Sequence, residues 1–497
     1  MGRLERLGAA LALVAAAGCG DGGSDAGPAE ADANGARRNV VIVVVDTLRA
    51  DRLGCYGADR PTSPNIDALA ARGVRFANTQ SVAPWTMPSV ATMFTGLFPA
   101  AHGVTDPTRM LPPEAYTLAE FFGDQGYSTG GVVSHGLIGT KYDYTQGFEY
   151  FDESNAKGHA HVSTASVSDL AQEMLVEFTE REEPFFLFVH YFDPHYDYVP
   201  HDEFDFAADS GGRIEGAPSI HDLRVMMDTF TDEELGYLRD VYDEEIAHTD
   251  AGIGQLFATL DELGVSDDTV VLFTSDHGEE FVEHGWLGHT RSMYQPVLHV
   301  PLIVAAPGDG LAGAVVEFPT STVSVAPTVV ELAGLSTDGL GYQGASLAPI
   351  VRGDATEHDT PVVAQVEFLP LRPDGFVRRS FQRSLVEGRF KLLRDEDLGT
   401  TELFDLAVDP GERAPVTDAH RVTLDAMLAR MDAALERFGA TPLPLVRREL
   451  GPALMRQLEL LGYVGSGGDG EDGRTPDDAA DDDAGDDASD DAANGNE

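Results

Sequence analysis

Three apolar runs in this chain end on residues that can hold a metal ion or move a proton. Asp46 follows Val40–Val45, while His190, Asp193 and His195 follow Phe185–Val189, and Asp276 and His277 come soon after Val270–Phe273. Continuous apolar runs of this length, without polar alternation, read as strands buried on both faces of a parallel sheet. In such a sheet functional groups collect beyond the carboxyl ends of the strands, so segments far apart in sequence can converge. One aspartate after a strand is usually a helix cap, and one histidine is usually a hydrogen-bonded structural residue. Three such endings in one chain point instead to metal chemistry.

The elements that must position these groups follow from the same reading. Strands are predicted at 41–45, 131–133, 185–189, 270–273 and 302–304, alternating with stretches of helical period. A representative helix is predicted from Asp240 to Leu263, where Ile246, Ile253, Leu256, Phe257, Leu260 and Leu263 share one side and Gly264 ends it. The stretch 200–235 fits neither period and reads as an insertion over the sheet, a candidate lid. From about 360 short strands and turns suggest a smaller subdomain. The expected fold class is α/β, a three-layer α/β/α sandwich with a mostly parallel central sheet, plus a smaller C-terminal α+β subdomain. The expected boundaries are 38–355 for the catalytic domain and 356–464 for the subdomain.

Composition narrows the function. The chain has 497 residues, 42% of them hydrophobic, so it can bury a large core. Its 84 acidic against 33 basic residues give a formal net charge of -51, which opposes nucleic acid and anionic bilayer surfaces as partners. Cys19 and Cys55 are the two cysteines, too few for a disulfide framework or a cysteine-rich zinc site. Cys55 reads as a small packing residue.

The ends carry addresses rather than fold. Residues 1–19 combine Arg3 and Arg6 with an apolar run too short to span a membrane, and Ala16-Ala17-Gly18-Cys19 resembles a bacterial lipobox. That pattern implies export and a lipid anchor on Cys19 at the bacterial cell envelope, periplasmic or on the surface, as the protein's one tie to a membrane. Residues 20–37 read as a flexible linker. Residues 465–497, with thirteen acids and one arginine, read as a disordered acidic tail. Setting the tail aside leaves most of the negative charge on the body.

The same residues carry a family resemblance. NVVIVVVDTLRADRLGCYG, TSPNIDALAARGVRFANTQSVAPWTMPSVATMFTGLFPAAHGV, FFLFVHYFDPH and TSDHGEEFVEHGWLGH resemble, in order, segments of the sulfatase family of the alkaline phosphatase superfamily. EGRFKLLR, ELFDLAVDPGE and RQLELLGYVG are similar to that family's closing segments, so the resemblance spans about residues 38–464. It implies a metal-dependent hydrolase of anionic esters. Position by position, it implies metal-binding roles for Asp46, Asp276 and His277 and the nucleophile's place for Thr86. It also implies that His195 and His289 bind oxygens of the substrate.

Several positions depart from the family pattern. Sulfatases mature a Cys or Ser in Cys/Ser-x-Pro-x-Arg to formylglycine, whereas this chain reads Thr86-Met87-Pro88-Ser89-Val90. Thr47 stands for the second Asp of an Asp-Asp pair, Ser134-His135-Gly136 for a Lys-Trp-His element, and His277 for a metal-binding Asn. Threonine with Asp, Asp and His resembles the phosphodiesterase and phosphotransferase branches of the superfamily, so a phosphoric ester is favoured over a sulfuric one. A threonine hydroxyl needs a metal to lower its pKa, and a set of Asp46, Thr86, Asp276 and His277 would provide one. Imidazole beside two carboxylates favours Zn or Mn, with Ca an option, as one ion or two.

The expected partner is a small anionic ester, since the acidic body disfavours long polyanions. Alternative functions are a sulfuric ester hydrolase, a phosphotransferase to a lipid or glycan, and a non-catalytic cell-surface binding protein. His102 and His190 read as structural. Asp193 reads as either a cap or a ligand of a second ion, and Glu280 and His284 as either supports for the ligands or surface groups.

Overall fold

The computed structural model describes residues 37–156, 162–207, 212–214, 219–306, 308, 311–368, 380–460 and 463. The signal, most of the linker and the acidic tail therefore lie outside the described residues. Nine strands form the central sheet: β1 Asn39–Val45, β2 Val74–Gln80, β3 Ser128–Val133, β4 Tyr150–Asp152, β5 Phe185–Tyr191, β6 Thr269–Ser275, β7 His299–Ala305, β8 Ala314–Val316 and β9 Thr320–Ser321. Their spatial order is β8-β2-β7-β6-β1-β5-β3-β4, with β9 also paired to β2.

Alternation along the strands assigns their two faces. Val40, Ile42 and Val44 of β1 join one core with Phe186, Phe188, Val270 and Leu272, under helix α2 (Thr86–Thr95). Val41, Val43 and Val45 join the other with Leu187, Val189, Val271 and Phe273, under α1 (Pro64–Arg72), α3 (Thr164–Thr179) and the long helix α5 (Asp232–Glu262). This is the expected three-layer sandwich. A separate antiparallel sheet of Val362–Phe368, Ser380–Glu387, Phe390–Asp395 and Thr400–Asp405 follows it in the chain. Helix Arg421–Phe438 packs against that sheet.

Three local expectations change. Helix α5 starts at Asp232 rather than Asp240, because Thr231 and Glu234 form a reciprocal capping box that opens it two turns earlier. The insertion is partly helical, with α4 at Ile220–Met226 capped by the Ser219 hydroxyl. Strand β7, predicted at 302–304, runs antiparallel to both β6 and β2. A parallel return needs a long crossover, usually a helix, and 276–298 is given to site loops with one short turn of helix at Gln295–Leu298.

The register aligns the strand ends. Val45 pairs with Ser275 and Tyr191, and His190 pairs with Val133, so 46, 190, 276 and the residues just after 133 meet at one edge. Directly after Asp46 the backbone turns at Thr47 with φ of 55°. Tyr242 on α5 secures that turn, its hydroxyl donating to the Thr47 carbonyl at 2.7 Å and accepting the Arg49 amide at 3.0 Å. Tyr242→Phe is expected to lower stability by roughly 2–4 kcal/mol, because it strands a buried carbonyl and a buried amide. Urea denaturation of the two proteins measures this.

Candidate active site

Asp46, His190 and Asp276 occupy positions on the face of the sheet that α2 covers, continuing the even-numbered residues of β1, β5 and β6. His135 continues the Val133 side of β3, which belongs to the same core. Thr86 is the first residue of α2, so its hydroxyl sits where the helix leaves amide groups unpaired and its dipole is positive. All these residues are buried, as are His195, His277 and His289.

The distances define a compact centre. Thr86 Oγ1 lies 3.2 Å from His277 Nε2, which lies 3.5 Å from both Asp46 Oδ1 and Asp276 Oδ2. His277 Nδ1 donates to the Gly278 carbonyl at 3.0 Å, leaving the Nε2 lone pair facing the carboxylates. Asp276 Oδ1 accepts the amides of His277 at 2.9 Å and Thr47 at 3.3 Å. Both oxygens of Asp46 and Oδ2 of Asp276 are buried with no hydrogen-bond partner. Burial, then the charges of Asp276 and Glu279, push the Asp46 carboxyl well above its ordinary range. Burial also holds His277 below its usual value and His190 at about 4, so both rings are neutral lone-pair donors at pH 7. Adjacent buried carboxylates with unpartnered oxygens and neutral imidazoles fit a divalent cation.

His195 and His289 lie at the same centre, with ring centroids 4.9 Å apart, and His289 is 4.5 Å from His277. His289 Nδ1 meets Glu279 Oε1 at 3.0 Å, and its Nε2 meets the Tyr463 hydroxyl at 3.2 Å. His195 Nδ1 donates to the Tyr196 carbonyl at 2.8 Å. Every residue singled out in the sequence for this centre is thus brought to it.

The structure adds residues and removes others. His190 is a correction: instead of serving only in packing, its Nε2 stands 3.8 Å from Asp46 Oδ2, and it groups with Asp46 and Asp276 as a potential ligand set. His135 Nε2 lies 3.9 Å from the same oxygen. Its signal was the strand-end position after Val133, hidden because β3 contains two glycines and reads as a weak strand. Tyr463, fully buried against Trp85, reaches the centre from the far end of the chain, which no local pattern could disclose. Asp193 caps α3, accepting the amides of Ser163 and Thr164 at 3.0 and 2.9 Å. Glu280 braces its loop by accepting from His284, Trp286 and Ser292. His102 is structural, bonded to Thr92 and the Val104 amide.

Comparisons with known proteins identify the family. Residues 38–335 match the sulfatase family, and residues 282–439 match the C-terminal region of N-sulphoglucosamine sulphohydrolase. The chain belongs to the sulfatase family and is an ester hydrolase. It is 27% identical to a choline-sulfatase of Rhizobium meliloti over 78% of this chain and 84% of that one. It is 23% identical to an N-acetylglucosamine-6-O-sulfatase of Bacteroides thetaiotaomicron, over 76% and 82%. Among solved structures, the phosphonate monoester hydrolase of Agrobacterium radiobacter superposes with a TM-score of 0.64 at 22% identity, covering 83% of this chain and 100% of that one.

The raised carboxyl of Asp46 sets a pH dependence. A folded pKa above the unfolded value of 3.8 gives stability that is present at low pH and lost as pH rises through the folded value. Metal-stripped protein is therefore expected to lose stability from about pH 4 upward, and Asp46→Asn to flatten that loss. Thermal unfolding in chelator across pH checks it, and an unchanged profile in the variant contradicts it.

Proposed function

We propose that this enzyme hydrolyses small anionic esters through Thr86 as a metal-activated nucleophile, with phosphoric esters preferred to sulfuric ones. The observation that carries the reading is the Thr86 hydroxyl at the start of α2, 3.2 Å from His277 Nε2 and beside two buried carboxylates. Asp46, Asp276 and His277 would hold the ion, with Thr86 and His190 next to it. Mixed oxygen and imidazole donors favour Zn or Mn over Ca. Bound there, the ion supplies the positive charge that lowers the hydroxyl pKa and polarises the ester.

One ion is favoured over two by the state of His135. Its Nδ1 accepts the Leu137 amide at 3.1 Å, so the neutral ring carries its proton on Nε2, facing the centre as a donor. His135 would then donate to a non-bridging oxygen of the transferred group, with His195 and His289, the pair that the family resemblance implies for substrate oxygens, beside it. Thr86 Oγ gives up its proton to solvent and forms a bond to phosphorus as the ester oxygen departs with its electron pair and takes a proton from water. Water next displaces Thr86 from the phospho-threonine, restoring the hydroxyl and releasing phosphate.

A sulfuric ester is the second reading, favoured by the sulfatase names of the curated relatives, choline-sulfatase among them. Export and lipidation of Cys19 remain part of the proposal, supported by the N-terminal pattern.

Turnover of p-nitrophenyl phosphate, its diester analogue, p-nitrophenyl sulfate and choline sulfate separates these readings. Thr86→Ala is expected to lower kcat by roughly a thousandfold or more, with Thr86→Ser retaining part of the rate and chelation abolishing it. Full activity of Thr86→Ala on every ester rejects the nucleophile, and turnover of sulfates alone reverses the substrate preference.

A further inference from the structure

A second group of metal-capable side chains shares no member with the catalytic centre. The loop that continues from His195 carries His201 and Glu203, and α5 carries His248 opposite them. The imidazoles of His201 and His248 stack in parallel, with centroids 4.2 Å apart and planes at 14°. Glu203 Oε1 lies 2.9 Å from His248 Nδ1 and 3.9 Å from His201 Nδ1. One donor atom from each of the three residues falls within 4.8 Å of the others.

We propose that His201, Glu203 and His248 form a metal site, separate from the catalytic centre, that takes a zinc-class divalent ion and fastens the 199–207 loop to α5. The donor chemistry fits: two imidazoles and a carboxylate form a mixed set that suits zinc and leaves a fourth position for water. Donor atoms around tetrahedral zinc stand about 3.4 Å apart, given bonds of about 2.0–2.1 Å. The separations of 2.9 and 3.9 Å bracket that spacing, and ligation requires one imidazole to turn out of the parallel stack so that both lone pairs meet the ion.

His201 is 7% exposed, so its imidazole is held between the loop and α5 rather than free in solvent. Burial and the neighbouring His248 also hold His201 below its ordinary pKa. The backbone beneath is already shaped, since the Glu244 carboxylate accepts the amides of His201, Phe206 and Ala207 at 3.1, 2.9 and 2.8 Å. Glu245 accepts the Val199 amide at 2.6 Å. The loop therefore presents its ligands without a large ordering cost. Thr249, next to His248, donates to the Asp193 carbonyl at 3.2 Å, which ties the site to the segment bearing His195.

The test counts metal in the full chain. After chelation and dialysis against micromolar zinc, elemental analysis of Asp276→Asn is expected to retain one equivalent that Asp276→Asn/His248→Ala lacks. Glu203→Gln, a conservative change of an exposed group, is expected to weaken zinc affinity in the Asp276→Asn background by at least about tenfold. Zinc is also expected to slow thermolysin cleavage within 199–207 in the wild type and not in His248→Ala. Equal zinc content with and without His248, or an affinity unchanged by Glu203→Gln, overturns the proposal and shows a histidine–glutamate hydrogen bond only. Loss of the catalytic-centre equivalent in Asp276→Asn is read separately, so either metal assignment can fail without the other.

Discussion

Two carboxylates are buried side by side at the ends of neighbouring strands, and most of the site answers that constraint. Pairing of Val45 with Ser275 in parallel register leaves Asp46 and Asp276 adjacent as the chain leaves the sheet. Desolvation alone would cost several kcal/mol per ion, more than hydrogen bonds to one of them recover. Asp276 receives two backbone amides at hydrogen-bond distance, while Asp46 is so desolvated that its carboxyl is pushed well above its ordinary range. The surrounding histidines cannot balance the charge by protonation, because the same burial keeps His190 and His277 neutral. A cation would resolve the imbalance, and the N-terminus of α2 adds positive potential on the side where Thr86 sits.

The walls of the centre come from distant parts of the chain. Tyr196 stacks on His289 at 5.0 Å, and Arg224 of α4 lies over Trp286 at 4.7 Å and donates to the Leu287 carbonyl at 3.0 Å. Tyr463 closes another side against Trp85 and His289. The insertion and the closing segment thus both contribute residues around the centre.

The sheet and its strand-end chemistry were legible because burial on both faces writes continuous apolar runs, and Asp46, His195, Asp276 and His277 stand where those runs stop. Asp193 shows the limit of that reading: the same position after a strand caps a helix, and only its distances to Ser163 and Thr164 separate the two roles. Thr86 and His289 were visible through the family pattern and not through periodicity, since each lies in a segment whose local pattern does not distinguish a nucleophile or an oxygen ligand from a packed residue.

The sequence by itself determined the layered α/β architecture, the family, and the residue types available for metal and nucleophile, because local periodicity and ordered motifs are properties of neighbouring residues. Tertiary structure decided that His135, His190 and Tyr463 join the centre, that Glu280 and Asp193 serve its scaffold, and that His201, Glu203 and His248 meet elsewhere. The reason is geometric. Strand register, the side on which a ring faces and the closure of a segment hundreds of residues away are set by long-range packing, which no stretch of sequence encodes alone.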